Sequence, residues 1–410
     1  MSTQTDGVTV SIDSDSGHDV AVVGAGPVGL LLAGEVAARG IRVVVLERAK
    51  APSTQPKANG IVGSAALELA RRGILTGTGL KVLSPPRFQF GPLPLRLGFG
   101  PGNPLHVLPI PQRRLEELLE SRARALGATV LRGCEVVGYT QDDTGVAIGV
   151  RDNDENARVH ASHLVGCDGA HSIVRKTAGI GFSGFTSDRI ASIARVRIPA
   201  DRVRVTPDGV DIDGLGRVAT MRPNRMPGGT FSIASVRALD RTAPDDVYLI
   251  SVHEPRGEAE PRDPLPVGEL RASIRRVLGT ELPFDEATAA RSTVGNSRQA
   301  DTYRSGRVLL AGDAAHIFNA GGSALNVGLN DAIELGRRLA AVLRSGSSSI
   351  ELDEYDGLRR AAGERALRHT RAQAALDRDD DGAGALREVV AELLRGRRAA
   401  RRLARLIEQG

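Results

Sequence analysis

Two periodicities of apolar residues alternate in blocks along the chain. Residues 19–23 (DVAVV) and 42–46 (RVVVL) are short apolar runs of the kind buried on both faces of a parallel sheet. Between them, residues 27–39 predict a helix that stops at Gly40. Residues 308–311 (VLLA) form another such run, and Leu325, Leu329, Ile333, Leu339 and Leu343 then recur at helical spacing. Residues 182–291 differ. Stretches such as TFSIASVRAL and DVYLISVHE alternate apolar with polar, Pro and Gly interrupt them, and only residues 267–278 carry a long helical repeat. After Leu343, SGSSS predicts a flexible link, and two or three amphipathic helices broken by the acidic turn DRDDDGAG follow. The pattern predicts an α/β protein whose parallel-sheet domain is discontinuous, residues 19–181 and 292–345. A mostly antiparallel sheet with one covering helix, residues 182–291, is inserted in it, a helical segment, residues 346–410, follows, and residues 1–18 are expected to form a mobile tail.

The connections between these elements carry the chemistry. GAGPVG, Gly24 to Gly29, links the first apolar run directly to the first helix, the context in which such a motif binds a dinucleotide. Gly24 permits the tight turn, Gly26 lets the backbone approach a pyrophosphate, and Gly29 lets helix and strand pack closely. Glu47 ends the second run, where an acidic side chain binds ribose hydroxyls and opposes a 2′-phosphate, which favours FAD or NAD over NADP. The domain is therefore expected to be Rossmann-like. In RVLLAGDAAH, Gly312 turns the chain and leaves Asp313 at a strand's carboxyl end, the edge at which open α/β sheets bind ligands. The glycine loop that follows leads into a helix N-terminus, whose N–H groups bind electron-rich oxygen.

Composition narrows the class. A chain of 410 residues with 41% hydrophobic content can bury a large core and is long enough for two or three domains. It has no run of eighteen apolar residues, and its opening is polar and acidic, so a cytoplasmic protein without a membrane span is expected. Cys134 and Cys167 have neither zinc spacing nor a disulfide framework and read as small buried strand residues. The net charge of +5 is concentrated in the arginines near the C-terminus, which alternate with leucines as on a solvated helix face. With 3% aromatic residues and no Trp, a nucleic-acid partner is not expected.

Three ordered motifs together resemble the class A FAD-dependent monooxygenases, the family that includes para-hydroxybenzoate hydroxylase. They are DVAVVGAGPVGLLLAGEVAARGIRVVVLER, LVGCDGAHSIVRKTAGI, and GRVLLAGDAAH with its GG loop and LNVGLNDAIELG. The middle and end, including GERALRHTRAQAAL at residues 363–376, look closest to bacterial aromatic polyketide hydroxylases. The resemblance implies non-covalent FAD, with Gly24, Gly26, Pro27, Val28 and Gly29 at the pyrophosphate and Glu47 with Arg48 at the adenosine ribose. It implies Gln112 near the ribityl chain, Asp313 on the ribityl hydroxyls, and the backbone of Gly321, Gly322, Ser323, Ala324, Leu325 and Asn326 at the flavin pyrimidine edge. Asp168 and Gly169 match a motif that contacts FAD and transient NAD(P)H, with Arg175 placed to pair with phosphate. Phe318 and Asn319 would stand at the mouth of the flavin site as substrate contacts, and residues 182–291 would wall the substrate pocket.

The implied activity is hydroxylation of an aromatic or polyketide small molecule by a monomer or homodimer, through a flavin C4a-hydroperoxide, with no side-chain nucleophile required. Three departures from the family pattern stand out. The sequence stops at Gly410, where polyketide-hydroxylase relatives commonly continue into a thioredoxin-like domain; Ser64 stands where an arginine is usual; and IFNAGG lacks the prolines of the loop over the flavin. Without them the loop, residues 317–323, is expected to be more mobile. These departures keep a second reading open, a redox-neutral cyclase of polyketide biosynthesis, of [4+2] type, in which FAD is structural.

Overall fold

The computed structural model describes residues 17–53, 58–152, 155–220, 222–238, 243–319, 324–346, 349–378 and 380–409. The expected strand, glycine turn, helix and strand are His18–Val23, the helix Pro27–Ala37 and Val43–Glu47. These two strands and Thr129–Arg132, Val308–Leu310 and the end of Glu155–Gly166 form the parallel part of an eight-stranded sheet. Cys134–Gln141 and Val146–Asp152 extend it in antiparallel fashion through Glu155–Gly166. Val20, Ala21, Val22, Val44, Val45, Leu164, Val165 and Val308 to Leu310 are fully buried, which is why these strands read as unbroken apolar runs.

Helix Pro27–Ala37 packs against both Gln112–Ala125 and Ala324–Ser345. The second contact is close because Gly336 has no Cβ; one there would meet the Glu35 Cβ at 2.7 Å. His18 belongs to the first strand, so the expected tail is at least one residue shorter; residues 1–16 lie outside the described residues. Cys134 is a buried strand residue as expected, whereas Cys167 is only partly buried and follows a strand end.

The second sheet has six strands, among them Gly229–Ser235, Val247–Pro255, Phe182–Arg197 and Glu286–Ala300 in that order. Its covering helix is Val267–Leu278, as the periodicity predicts, and Leu270, Ile274 and Val277 pack with Phe231, Ile250 and Val252 in a core of their own. The expected boundary at residue 291 falls inside Glu286–Ala300. This strand pairs with Phe182–Arg197 on both sides of that point and as far as Ala300, with the register shifting just before Arg291, between the pairs Arg195–Thr288 and Ile193–Arg291.

The C-terminal segment is not a separate layer. Helices Ile350–Leu376, Asp381–Leu393 and Arg397–Glu408 close a third core in which Leu376, Leu394, Ala400, Ala404 and Ile407 meet Phe90, Leu93, Leu95, Leu97 and Leu105. The hairpin of Arg87–Phe90 with Leu93–Arg96 that supplies the other half has no strong signal of its own, because each strand is only four residues long.

His163 and His369 are buried and His253 is half-buried, and their surroundings favour the neutral imidazole. His163, His253 and His369 are each lowered from 6.5 to about 4 by burial, with Arg307 and Arg304 adding to the first and Arg189 to the second. Between about pH 6.5 and pH 4 the unfolded chain therefore binds more protons than the folded one, and stability rises with pH across that window. The denaturant midpoint is expected to fall steadily on acidification from about pH 7 to pH 4. A flat midpoint there contradicts the neutral assignment.

Candidate functional site

Four adjacent parallel strands end at one edge of the main sheet, and each delivers one sequence-predicted element there. Val308–Leu310 leads to Gly312 and Asp313, Glu155–Gly166 to Asp168, His18–Val23 to the glycine turn, and Val43–Glu47 ends on Glu47 itself. Backbone hydrogen bonds hold the exits together: Gly24 N to Leu46 O at 2.8 Å, Cys167 N to Val23 O at 2.8 Å and Ala311 N to Gly166 O at 3.0 Å. The carboxyl edge of an open sheet is the edge at which such folds bind ligands.

The glycines of the turn have separable reasons. Gly24 has φ +104°, and a Cβ there would press on the Cys167 carbonyl; a Cβ on Gly29 would collide with the Gly24 carbonyl. Both are required by the protein's own packing. A Cβ on Gly26 would meet nothing within 4 Å, so packing leaves that glycine unexplained. No side chain caps the helix Pro27–Ala37, although its first residue, Pro27, is buried. An uncapped helix start with open space beside Gly26 fits an anionic pyrophosphate. Glu47 accepts from Ala25 N through Oε2 and from Ala49 N through Oε1, both at 2.8 Å. A carboxylate has about four acceptor positions, so Glu47 retains capacity for ribose hydroxyls. Arg48 is exposed just beyond it.

Asp168 and Arg175 are placed differently from the expectation. The Asp168 backbone lies against Gly24, but its Oδ2 accepts from Ile173 N at 2.7 Å and Val174 N at 3.3 Å, at the start of the short helix Ile173–Thr177. Burial raises its carboxyl above the ordinary value, and Oδ1 is buried without a partner. Arg175 is buried rather than presented to a phosphate. It donates to the carbonyls of Ala314 and Ala170 at 2.9 Å each and lies 3.7 Å over the Phe182 ring. Its donors tie the turn after Asp168 to the turn after Asp313.

Asp313 is exposed on a single turn, Gly312–Ala314, and that turn is held from behind by a network absent from the sequence reading. Asp331, fully buried on helix Ala324–Ser345, accepts from Gly312 N at 3.0 Å and from Arg359 Nε at 2.6 Å, and is paired with His316 Nε2 at 2.6 Å. Burial pushes the Asp331 carboxyl up, and the electrostatic pull of His316 and Arg359 outweighs this, leaving it below the ordinary value. Val28, expected at the cofactor, wedges its side chain against Gly312 and Gly328, where a Cβ would lie 3.0 and 2.8 Å from its Cγ2. The glycine turn and the Asp313 turn are thereby held in contact.

Of the remaining predicted residues, Gln112 starts the helix Gln112–Ala125, donates to Glu116 Oε1 at 2.8 Å and accepts from Ala58 N at 3.4 Å. Ala324 and Leu325 are half-buried at the start of their helix. Asn326 is fully buried, accepts from Ala65 N at 2.9 Å and donates to the Glu408 carbonyl at 3.4 Å, so its side chain ties the start of its own helix to Ala65 and to the C-terminal helix. Ser64, the position of the missing arginine, accepts from Asn330 Nδ2 at 3.0 Å. Phe318 stacks on His316 at 5.1 Å, and Asn319 donates its N–H to Ser297 Oγ at 3.1 Å, on the second sheet. Gly321, Gly322 and Ser323 lie outside the described residues, with most of the loop expected to be mobile.

Among the described residues no group of acidic, His or Cys side chains could hold a metal, and no helix is long and apolar enough to cross a membrane. The FAD binding domain family matches residues 17–370. A 12-dehydrotetracycline 5-monooxygenase/anhydrotetracycline 6-monooxygenase from Streptomyces rimosus is 36% identical over 95% of this chain and 76% of its own length. Among solved structures, an aromatic hydroxylase from angucycline biosynthesis superposes with a TM-score of 0.83 at 33% identity, covering 96% of this chain and 76% of that one. A Diels-Alderase in the biosynthetic pathway of pyrroindomycins superposes with a TM-score of 0.80 at 31% identity, covering 96% and 80%. With the uncapped glycine turn, Glu47 and Asp313 aligned on one sheet edge, these matches establish that the chain belongs to the FAD binding domain family and is a flavoprotein of the class A monooxygenase type.

Proposed function

We propose that the protein hydroxylates an aromatic polyketide or related polycyclic small molecule, using NAD(P)H and dioxygen. The observation that carries the reading is the sheet edge on which the open Gly26 turn and the exposed Asp313 stand together, one suited to an anion and the other to hydroxyls. When bound there, FAD supplies electron transfer and oxygen activation. The chain's own residues bind and orient. The helix start at Pro27 would hold the pyrophosphate, Glu47 would accept from the adenosine ribose, and Asp313 would accept from the ribityl hydroxyls. Phe318 and Asn319 bridge from this edge to the second sheet, which holds the substrate and keeps water from it. The sequence has no second glycine fingerprint after Gly60, so NAD(P)H visits without a dedicated pocket.

A redox-neutral reading is favoured by one observation, the similarity to a Diels-Alderase at nearly the level of the similarity to an aromatic hydroxylase. The two separate cleanly in a test of the purified holoprotein with a panel of hydroxylated anthraquinones and naphthacenes. Hydroxylation predicts that a substrate accelerates NAD(P)H oxidation and oxygen uptake together. Neither rate responding to any compound, while FAD stays bound, counts against the oxygenase.

A further inference from the structure

The second sheet has one face covered by helix Val267–Leu278 and one that this helix leaves open, and the strand register says which residues stand on each. Phe231, Val252, Ser192 and Ser292 form a cross-strand row on the covered side, and all four are buried. Residues one step along the strands point the other way. Thr230, His253, Ala191 and Thr293 form one row of that opposite face, in which Thr230 and Ala191 are buried, His253 is half-buried and Thr293 is exposed. Ser232, Ser251, Ile193 and Arg291 form the next, and each of these four is only partly buried.

Gly295 follows Thr293 on the same face, and a Cβ there would collide with the Asn319 side chain. The open face is therefore the one that meets the chain leaving the Asp313 turn. Its centre is apolar and low, Ala191 beside Ile193, flanked by His253 and Ser251 on one strand and by Thr293 and the Arg291 guanidinium on the other. The Ser251 hydroxyl holds His253 Nε2 at 2.9 Å. Burial drives the His253 imidazole down to about 4, so near pH 7 the pair is neutral and offers hydrogen bonds without charge.

We infer that, on this surface, the Ser251–His253 pair with Thr230 selects a flat polycyclic ring carrying a peripheral phenol or quinone oxygen. The inference rests on the aromatic-substrate reading above and specifies its ligand. A small apolar centre accommodates a ring face, and a neutral pair pays no desolvation of charge when the ring excludes water. An apolar replacement at His253 removes a hydrogen bond to the oxygen and leaves ring stacking in place.

The test uses holoprotein at equilibrium, reading ligand-induced change in flavin absorbance without NAD(P)H. The probes are 1,8-dihydroxyanthraquinone and unsubstituted anthraquinone. Wild type is expected to prefer the dihydroxy compound. His253→Leu is expected to weaken that compound about three- to tenfold and leave anthraquinone within about twofold. Ser251→Ala, a smaller change on the same pair, is expected to act in the same direction, with FAD retention measured for both variants. Equal weakening of both probes, or no weakening of either, overturns the selectivity assigned to the pair. Failure of wild type to bind either probe overturns the surface itself. Oxygen uptake with other substrates is measured separately and remains free to succeed, so the two readings fail independently.

Discussion

Asp331→Ala is expected to destabilise the protein by about 3–5 kcal/mol, the usual cost of removing one partner from a buried charge pair. Asp331 is fully buried and holds Arg359, itself 9% exposed, at 2.6 Å. Removal leaves the guanidinium charge in the core and deprives Gly312 N of its acceptor. The denaturant midpoint reads the loss at unchanged slope. Asp331→Ala combined with Arg359→Met is expected to recover part of it, because the uncompensated charge disappears with its partner. Since Gly312 precedes Asp313, the single variant should also hold FAD more weakly, whereas the compensated variant separates folding from that effect. An Asp331→Ala midpoint within about 1 kcal/mol of wild type contradicts the buried pair.

Asp313→Ala is expected to reduce FAD affinity about ten- to hundredfold, corresponding to about 1.5–3 kcal/mol for a charged acceptor. The side chain is exposed on its turn and belongs to no core, so folding of the apoprotein should be nearly unchanged. Asp313→Asn, which keeps an acceptor oxygen and loses the charge, is expected to fall between the two. Titration of apoprotein with FAD by flavin fluorescence gives the number. Wild-type affinity in Asp313→Ala removes the residue from the cofactor site.

The main sheet was legible because its strands are buried on both faces and its glycines sit between them. The covering helix of residues 267–278 was legible for a different reason, an unambiguous helical period. What escaped were contacts between segments far apart in sequence. The pairing of Phe182–Arg197 with Glu286–Ala300 resumes across a compositional change after a shift of register beside Arg291, because a strand can pass from one environment into another while its backbone pairing continues. The Asp331 network left only an indirect trace. Arg359 occupies a position in the stripe Leu352, Tyr355, Arg359, Ala362, Ala366, and Asp331 is the opposite charge buried on the preceding helix. Opposite charges on the buried faces of consecutive helices are a pairing signal. Arg175 was misread because a basic residue near a cofactor motif suggests a phosphate, whereas it is buried and gives two of its donors to backbone carbonyls. For Val28 and Asn326, a cofactor motif concealed packing roles that depend on Gly312 and on the C-terminal helix.

The central claim is that this scaffold transfers oxygen, and isotopic labelling tests it most directly. Purified holoprotein is incubated with NAD(P)H, isotopically heavy dioxygen and a polycyclic aromatic that accelerates NAD(P)H oxidation, and the product is weighed by mass spectrometry. The account predicts a product heavier than its substrate by one labelled oxygen atom, formed only when NAD(P)H and dioxygen are both present. A product isomeric with its substrate, formed in the absence of both, contradicts it.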